Sequence, residues 1–374
     1  MKPLLVLGIM SGTSIDGVDY ALCDVNARSV RLLKHWQREF PATLRRRLHA
    51  AAANESSAHE LAQLHHDLGR LYATQAKQLR CRLGLVGLHG QTVFHSPSAP
   101  SRATLQIGEP AYLAEALGVP VISNFRTADI AADGQGAPLA TLFHKLVFAK
   151  RGEHICVNNL GGISNVTSLD WCSGTEPQIT AFDTGPANVL IDLAMRHITR
   201  GKQRFDKNGA WAKRGTINER LLARWLKHSF FKRTPPKSTG RELFGENFWR
   251  TEQGRMVAAK LDRFDVLATL TEFTTRSIAL NYRLHLKSMP DFVVFCGGGA
   301  RNQILLARIS LALRRLNPSV QLATSDHFGW PPQAIEPAAF ALLAYYRWNN
   351  LPANIPATTG ASRPVLLGQI SHHG

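Results

Sequence analysis

LLVLGIMSGTSIDGVDYALCDV, residues 4–25, decides how the fold is read. Leu4 to Met10 form a short apolar run of the kind that fills a central strand. Residues 11–17 are polar and carry two glycines, and apolar residues alternate again from Val18. The pattern is strand, tight turn, strand, and VRLLKHWQREF (30–40) supplies a third strand. Glycine lets such a turn bring backbone N–H groups close to an anion, because no Cβ intervenes. Ser11, Thr13 and Ser14 add donors beside Gly12, and Asp16 and Asp19 are carboxylates suited to Mg²⁺ or its bound water. The turn opens a strand rather than a helix and lacks Gly-Lys-Ser/Thr, which excludes the Walker P-loop. The same residues would also serve an ordinary hairpin, and this stretch alone leaves both readings open.

Working outward, the arrangement recurs. HICVNNLGGISNVTSLD (154–170) is again strand, Gly161–Gly162 turn, strand, and FVVFCGGGARN (292–302) runs a strand into a glycine turn around Gly298 that opens a helix. Between the first two lie a helical stretch over 41–80, a buried strand at 85–95 expected to run into a loop, and a strand–helix–strand segment over 103–126. Ser56 or Ser57 is suited to cap the helix that follows it. A mostly helical stretch spans 192–286, and AIEPAAFALLAYYRW (334–348) is an apolar helix. Three antiparallel strands followed by alternating helices and strands are how a ribonuclease-H-like half begins. The expected fold is therefore α/β: two ribonuclease-H-like domains with a nucleotide cleft between them. The junction is placed near 127–136, giving an N-terminal domain of residues 1–130; that the tail 355–374 joins it is implied only by the family resemblance given below. The C-terminal domain, with helical insertions, covers 131–354.

Composition narrows the function. Apolar residues make up 44% and charged residues 19%, which is globular rather than disordered. No apolar run approaches the roughly 20 residues of a membrane span, and the N-terminal run is too short and lacks a cleavage site for a signal peptide. The expected location is the cytoplasm. Five cysteines, an odd number with no CxxC pair, argue for buried thiols rather than a disulfide framework or zinc site. The net charge of +17 would attract nucleotides, but its basic residues are scattered and no nucleic-acid-binding motif accompanies them.

Three segments carry further chemistry. AFDTGPANVLIDL (181–193) places Asp183 after an apolar stretch and before Gly185-Pro186. There an Asp either caps the following helix or acts as a general base. GLHGQTVFH (87–95) sets His89, Gln91, Thr92 and His95 at a strand end, where polar side chains meet sugar hydroxyls and a histidine also serves as a satisfied structural residue. Arg126, with Asp129 and Asp133 nearby, has the planar fork for a carboxylate or phosphate, or forms a structural ion pair. FKRTPPKSTGRELFGENFW (231–249) is rich in Pro, Gly and charge and reads as a mobile or substrate-facing insertion.

Together, GIMSGTSIDGVD (8–19), GLHGQTVFH (87–95), LQIGEPAYLAEALGVPVISNFR (105–126), DIAADGQGAPL (129–139), NLGGISN (159–165), FDTGPANVLID (182–192), FCGGGARN (295–302), IEPAAFALLA (335–344) and TGASRPVLLGQI (359–370) resemble the anhydro-N-acetylmuramic acid kinase family, within the wider actin/sugar-kinase/Hsp70 superfamily. The resemblance runs from the first strand to the tail, with residues 202–247 less recognisable. Ile15 stands where the family usually carries Met or Leu, a mild change. The resemblance implies an ATP- and Mg²⁺-dependent kinase of peptidoglycan recycling. It would open 1,6-anhydro-N-acetylmuramic acid with water and phosphorylate O6 to give N-acetylmuramic acid 6-phosphate. Asp183 would be the base that activates water. Gly12, Thr13, Ser14, Asp16, Gly161, Gly162 and Gly298 would receive the nucleotide, and Asp16 and Asp19 the metal. His89, Gln91, Thr92, Arg126 and Glu336 would meet the sugar. The family implies a homodimer, with an amino sugar and ATP as small-molecule partners and neither nucleic acid nor membrane. The alternatives are a kinase of another sugar on the same fold, a non-enzymatic ATP-switch or sugar sensor, and a nucleic-acid binder.

Overall fold

The structure, a computed structural model, describes residues 2–12, 14–97 and 102–374. By packing, the chain divides into two units, Met1–Val147 with Gln333–Gly374, and Phe148–Pro332.

The first unit opens with three antiparallel strands, β1 (Leu4–Ser11), β2 (Gly17–Asn26) and β3 (Ser29–Glu39), in continuous hairpin register. Helices α1 (Ala42–Ala52) and α2 (Ala58–Ala76) follow. Ser57 caps α2 in a full capping box with Glu60, its Oγ accepting from the Glu60 N–H and the Glu60 carboxylate accepting from the Ser57 N–H. Strand β4 (Leu85–Ser96) runs parallel to β1 and continues through His95, so the loop expected there is strand, paired with β5 (Ala103–Ile107). Helix α3 (Ala111–Leu117), strand β6 (Val121–Ser123), and helices α4 (Thr127–Ala131) and α5 (Thr141–Phe148) complete the first pass. Residues β2, β1 and β4 turn Leu7, Ile9, Val18, Tyr20, Val86 and Leu88 into one core with Leu64, Leu68 and Tyr72 of α2.

The second unit repeats the plan. Strands β7 (His154–Leu160), β8 (Ile163–Asp170) and β9 (Gln178–Pro186) are antiparallel neighbours. Helices α6 (Asn188–Ile198), α7 (Glu219–Trp225), α8 (Glu246–Ala258) and α9 (Arg263–His285) come next, then β10 (Phe292–Cys296), α10 (Gln303–Leu316) and β11 (Gln321–Thr324). Strand β10 lies parallel to both β7 and β11. The inserted helices close over an aromatic core of Trp225, Phe230, Phe231, Phe244, Trp249 and Phe273.

The chain then returns to the first unit as α11 (Ile335–Trp348), α12 (Pro356–Thr359) and β12 (Gln369–Ser371), the last pairing with β6. Nearly every residue of α11 from Ile335 to Tyr345 is buried, and the helix lies on β1, β2 and β4. Two glycines permit this approach. A Cβ on Gly8 would sit 1.8 Å from the Pro337 carbonyl oxygen, and one on Gly87 would sit 2.3 Å from that of Phe340. The junctions therefore lie at 147/148 and 332/333 rather than at 130/131 and 354/355, because α11 covers the first sheet. The tail is clasped further by Asp129, fully buried, whose carboxylate accepts from Asn354 Nδ2, Thr359 Oγ1 and the Gly136 N–H, each at 2.8 Å.

The strand orders are β12-β6-β4-β1-β2-β3 and β11-β10-β7-β8-β9. In each, three antiparallel strands at one side meet parallel strands at the other, which is the ribonuclease-H-like order. No helix among the described residues is long and apolar enough to cross a membrane.

Candidate active site

In the first unit, the β1–β2 turn is pinned from beneath. Ile15 is buried between the exposed residues Ser14 and Asp16, and its N–H donates to the Gly12 carbonyl. Its φ of 59° is left-handed, a conformation costly for a β-branched residue, so the Ile at this position strains the turn rather than leaving it unchanged. The buried Ser11 hydroxyl donates to the Gly90 carbonyl at 3.0 Å, and Gln91 Nε2 donates to the Gly12 carbonyl at 3.2 Å. These bonds join the 8–19 and 87–95 motifs across the β1–β4 pair. Gln91 is fully buried and its Oε1 has no partner among the described residues. Thr92 Oγ1 accepts from Gln106.

His89, expected at the sugar, is held by bonds within the chain. Its Nδ1–H donates to the Gly90 carbonyl at 2.7 Å, and its Nε2 accepts from Arg126 Nη2 at 2.9 Å and Nε at 3.2 Å. The ring also packs against Phe340. Burial, then the Arg126 charge, holds the imidazole well below its usual range, so it is neutral and both nitrogens are occupied. His89 orients Arg126. Arg126 also donates through Nη1 to the Gly136 carbonyl at 2.6 Å, and its five donors leave one N–H free on each Nη for a ligand. Burial lowers its pKa to about 10, while Glu336 and Asp129 favour the cation.

Asp16 is exposed, and Asp19 shares Oδ1 with His35 Nε2 at 3.3 Å. No cluster of three or more metal-ligating side chains exists among the described residues. Mg²⁺ asks less of a protein, one or two carboxylates with phosphate oxygens, and the exposed Asp16 has the oxygen chemistry it takes. Thr13, the remaining predicted residue of the turn, lies outside the described residues.

In the second unit, the Gly161–Gly162 turn is fastened to α6. The Gly162 carbonyl accepts from the Ala187 and Val189 N–H groups, and the Gly161 carbonyl accepts from the Asn188 N–H and Nδ2. Beneath it, Ser164 joins Asn158 and Thr184 in a buried network that Asn281 and Tyr282 extend. The glycines themselves carry a signal. A Cβ on Gly298 would meet nothing within 4 Å, one on Gly12 only Ser14 Oγ at 4.0 Å, one on Gly161 the Ile163 carbonyl at 3.4 Å, and one on Gly162 Val189 at 3.9 Å. None of the four has a left-handed φ. Neither packing nor backbone conformation demands glycine at these positions, so the space beside them is open to a ligand. Gly297 and Gly299 differ, since protein atoms lie within 3 Å of their missing Cβ.

Asp183 lies in β9, not at a helix start. The N-cap of α6 is Ala187 and no side chain caps it, which removes the capping alternative. Its backbone N–H donates to the Lys237 carbonyl at 3.0 Å, and its Oδ2 accepts from the Thr239 N–H at 2.8 Å. Burial pushes the carboxyl up to about 7, with the Thr239 N–H opposing, Glu242 adding to the rise and Lys237 opposing it. A carboxylate so poised suits proton abstraction near neutral pH. The segment around 237–242, expected to be part of a mobile or substrate-facing insertion, thus wraps Asp183. Thr239 Oγ1 is buried with no partner among the described residues.

Two sheets of one strand order, each opened by a glycine-bearing hairpin, with a buried carboxylate in the second, are the architecture of the actin/sugar-kinase/Hsp70 class. Comparison with known proteins narrows this. The model of the family "Anhydro-N-acetylmuramic acid kinase" matches residues 4–373, and the chain belongs to that family of sugar-phosphorylating kinases. Relatives named anhydro-N-acetylmuramic acid kinase include one from Gloeobacter violaceus, 43% identical with full coverage of both chains, and one from Picosynechococcus sp., 42% identical over 98% of each. Among solved structures, the activator of 2-hydroxyisocaproyl-CoA dehydratase from Clostridium difficile with bound ADPNP aligns at TM-score 0.44 and 12% identity, over 93% of this chain and 96% of that one. A ROK family glucokinase from Streptomyces griseus with glucose and AMPPNP aligns at 0.41 and 13%, over 90% and 98%.

Proposed function

We propose that this kinase uses ATP to convert 1,6-anhydro-N-acetylmuramic acid to N-acetylmuramic acid 6-phosphate in the cytoplasm, within peptidoglycan recycling. Family membership supports the substrate. The observation that carries the chemistry is the Asp183 carboxylate, clasped by backbone, freed from any capping duty and raised toward neutrality by burial. The substrate's O6 is locked in an ether bridge to C1 and has no proton to lose. Asp183 therefore takes a proton from water as that water attacks C1. The C1–O6 bond breaks, and O6 accepts the γ-phosphoryl group of ATP as ADP leaves. The Thr239 hydroxyl, beside the base, is placed to hold the water. Arg126 offers its free N–H groups to the lactyl carboxylate, Gln91 Oε1 accepts from a sugar hydroxyl, and Thr92 and Glu336 complete the sugar contacts. Gly12, Gly161, Gly162 and Gly298 leave room for the nucleotide, Thr13 and Ser14 are assigned to it on the family resemblance, and Asp16 with Asp19 would hold Mg²⁺. A Mg²⁺ ion held there would supply charge neutralisation to the phosphates. A homodimer is proposed on the family resemblance alone.

The test is mass spectrometry of product formed from ATP, Mg²⁺ and the anhydro sugar in ¹⁸O-labelled water. One ¹⁸O at C1 with phosphate on O6 is expected. Phosphorylation of a free sugar but not of the anhydro sugar would overturn the substrate.

A further inference from the structure

The Gln91 amide is locked at one end and unmatched at the other. Nε2 donates to two carbonyls, that of Gly12 at 3.2 Å and that of Thr92 at 3.1 Å, so both of its N–H groups are taken. Two carbonyls can be met only by the NH₂ end of an amide, which fixes Oε1 as the other end, buried and with no partner among the described residues. A buried oxygen left unpaired is costly, and a ligand that brings a donor removes that cost. The strand is shaped to place this side chain. β1 and β4 shift register between Ile9 and Ser11, with one residue more on β4, and Gly90 takes a left-handed φ of 77° there. Such a bulge re-aims side chains, and it sets Gln91 opposite Ser11 at the end of β1. The Gly12 carbonyl also accepts from the Ile15 N–H at 3.2 Å. Ile15 is the left-handed β-branched residue of the turn, and strain of this kind persists only under restraint from the surroundings. Gln91 is such a restraint: one end grips the glycine turn, and the other lacks a donor.

We propose that Gln91 is the positioning residue that couples the sugar to the nucleotide. A hydroxyl of the sugar donates to Oε1 and fixes the amide, the amide through Nε2 fixes the Gly12 carbonyl, and the turn is thereby set in the shape that receives phosphate. This rests on the reading of the 87–95 and 8–19 motifs as sugar and nucleotide sites. The substrate narrows the contact to one group. C1 and C6 share the ether bridge, C2 bears the acetamido group and C3 the lactyl ether, so C4 carries the single hydroxyl. By linkage the effect is reciprocal, each ligand tightening the other by the same factor.

The experiment is calorimetric titration of the whole chain with AMPPNP and Mg²⁺, alone and with the anhydro sugar at saturation. Wild type is expected to bind AMPPNP about fivefold more tightly, or better, when the sugar is present, a typical coupling between two sites. Gln91→Met keeps the length of the side chain without its hydrogen bonds. In that variant both ligands should still bind, while the ratio of the two AMPPNP affinities falls to about one. General damage to the fold would weaken both ligands and leave the ratio standing. The 4-deoxy anhydro sugar tests the same link in wild type, so the test survives if the variant does not fold: it should bind but leave the AMPPNP affinity unchanged. Undiminished tightening in Gln91→Met or with the deoxy sugar, or no tightening in wild type with the parent sugar, overturns the coupling and leaves the sugar-kinase reading in place. Failure of wild type to bind the anhydro sugar overturns that reading itself.

Discussion

Asp183 must serve two opposed demands, because the burial that raises its basicity also penalises its ionised form in the folded chain. Unfolded, its carboxyl ionises near pH 4, at about the ordinary value. Folded, it ionises at about 7. Between the two, the unfolded chain is ionised while the folded one keeps its proton. Stability therefore declines as pH rises through that window, and the loss is complete above the folded value. Asparagine keeps the acceptor for the Thr239 N–H but never ionises. Asp183→Asn should melt at a higher temperature than wild type at pH 8, with the gap closing toward pH 4, while turnover drops roughly 10²-fold or more. Equal melting at pH 8 would mean the carboxylate is not penalised by burial. Asp183 was legible in the sequence because an acid follows an apolar run there. Lys237 and Thr239 were not, since Thr239 lies 56 residues away along the chain, in a Pro- and charge-rich segment without periodicity. His89 had two readings, sugar contact or satisfied structural residue, and its bonds to Gly90 and Arg126 could not be read from the sequence.

At the scale of elements, α11 and the strands beneath it show what patterning can and cannot settle. A helix apolar on every face is recognisable as buried, but it has no polar side to say which sheet it joins. That is why α11 was assigned to the wrong half of the chain. The glycines within β1 and β4 held the missing information, because a glycine inside a strand marks close backbone approach. Gly8→Ala would drive a Cβ into the Pro337 carbonyl, where backbone cannot yield as a side-chain tip does. We expect a loss of about 3 kcal/mol in denaturant unfolding, at the upper end for overpacking. Gly118→Ala, where nothing lies within 4 Å, serves as the comparison; its φ of 63° alone costs about 1 kcal/mol. Similar losses for the two would show that α11 can shift. The capping box at Ser57, by contrast, was legible because capping is local chemistry within four residues.

On the scale of the whole molecule, the repeated strand–turn–strand opening was enough to anticipate two sheets of one design, since hairpins announce themselves through apolar runs and glycine. The junctions at 147/148 and 332/333 were not legible. They fall beside a helix end and a Pro-Pro stretch that resemble many other connections, while the polar, glycine-rich stretch at 127–136 belongs inside the first unit, folded around Asp129. The second unit is continuous in sequence and the first is not, and this bears on how the protein is made. A ribosome releases residues 1–147 without the helix that shields β1, β2 and β4 and without the strand that finishes the sheet. The half synthesised first must wait, its glycine-lined face bare, until the half synthesised second has emerged. Residues 148–332 expressed alone should fold cooperatively, and residues 1–147 alone should not, gaining protection from protease only when 333–374 is supplied. The N-terminal half of the nascent chain is thus the client most in need of a chaperone, and its maturation is timed by the last forty or so residues to leave the tunnel.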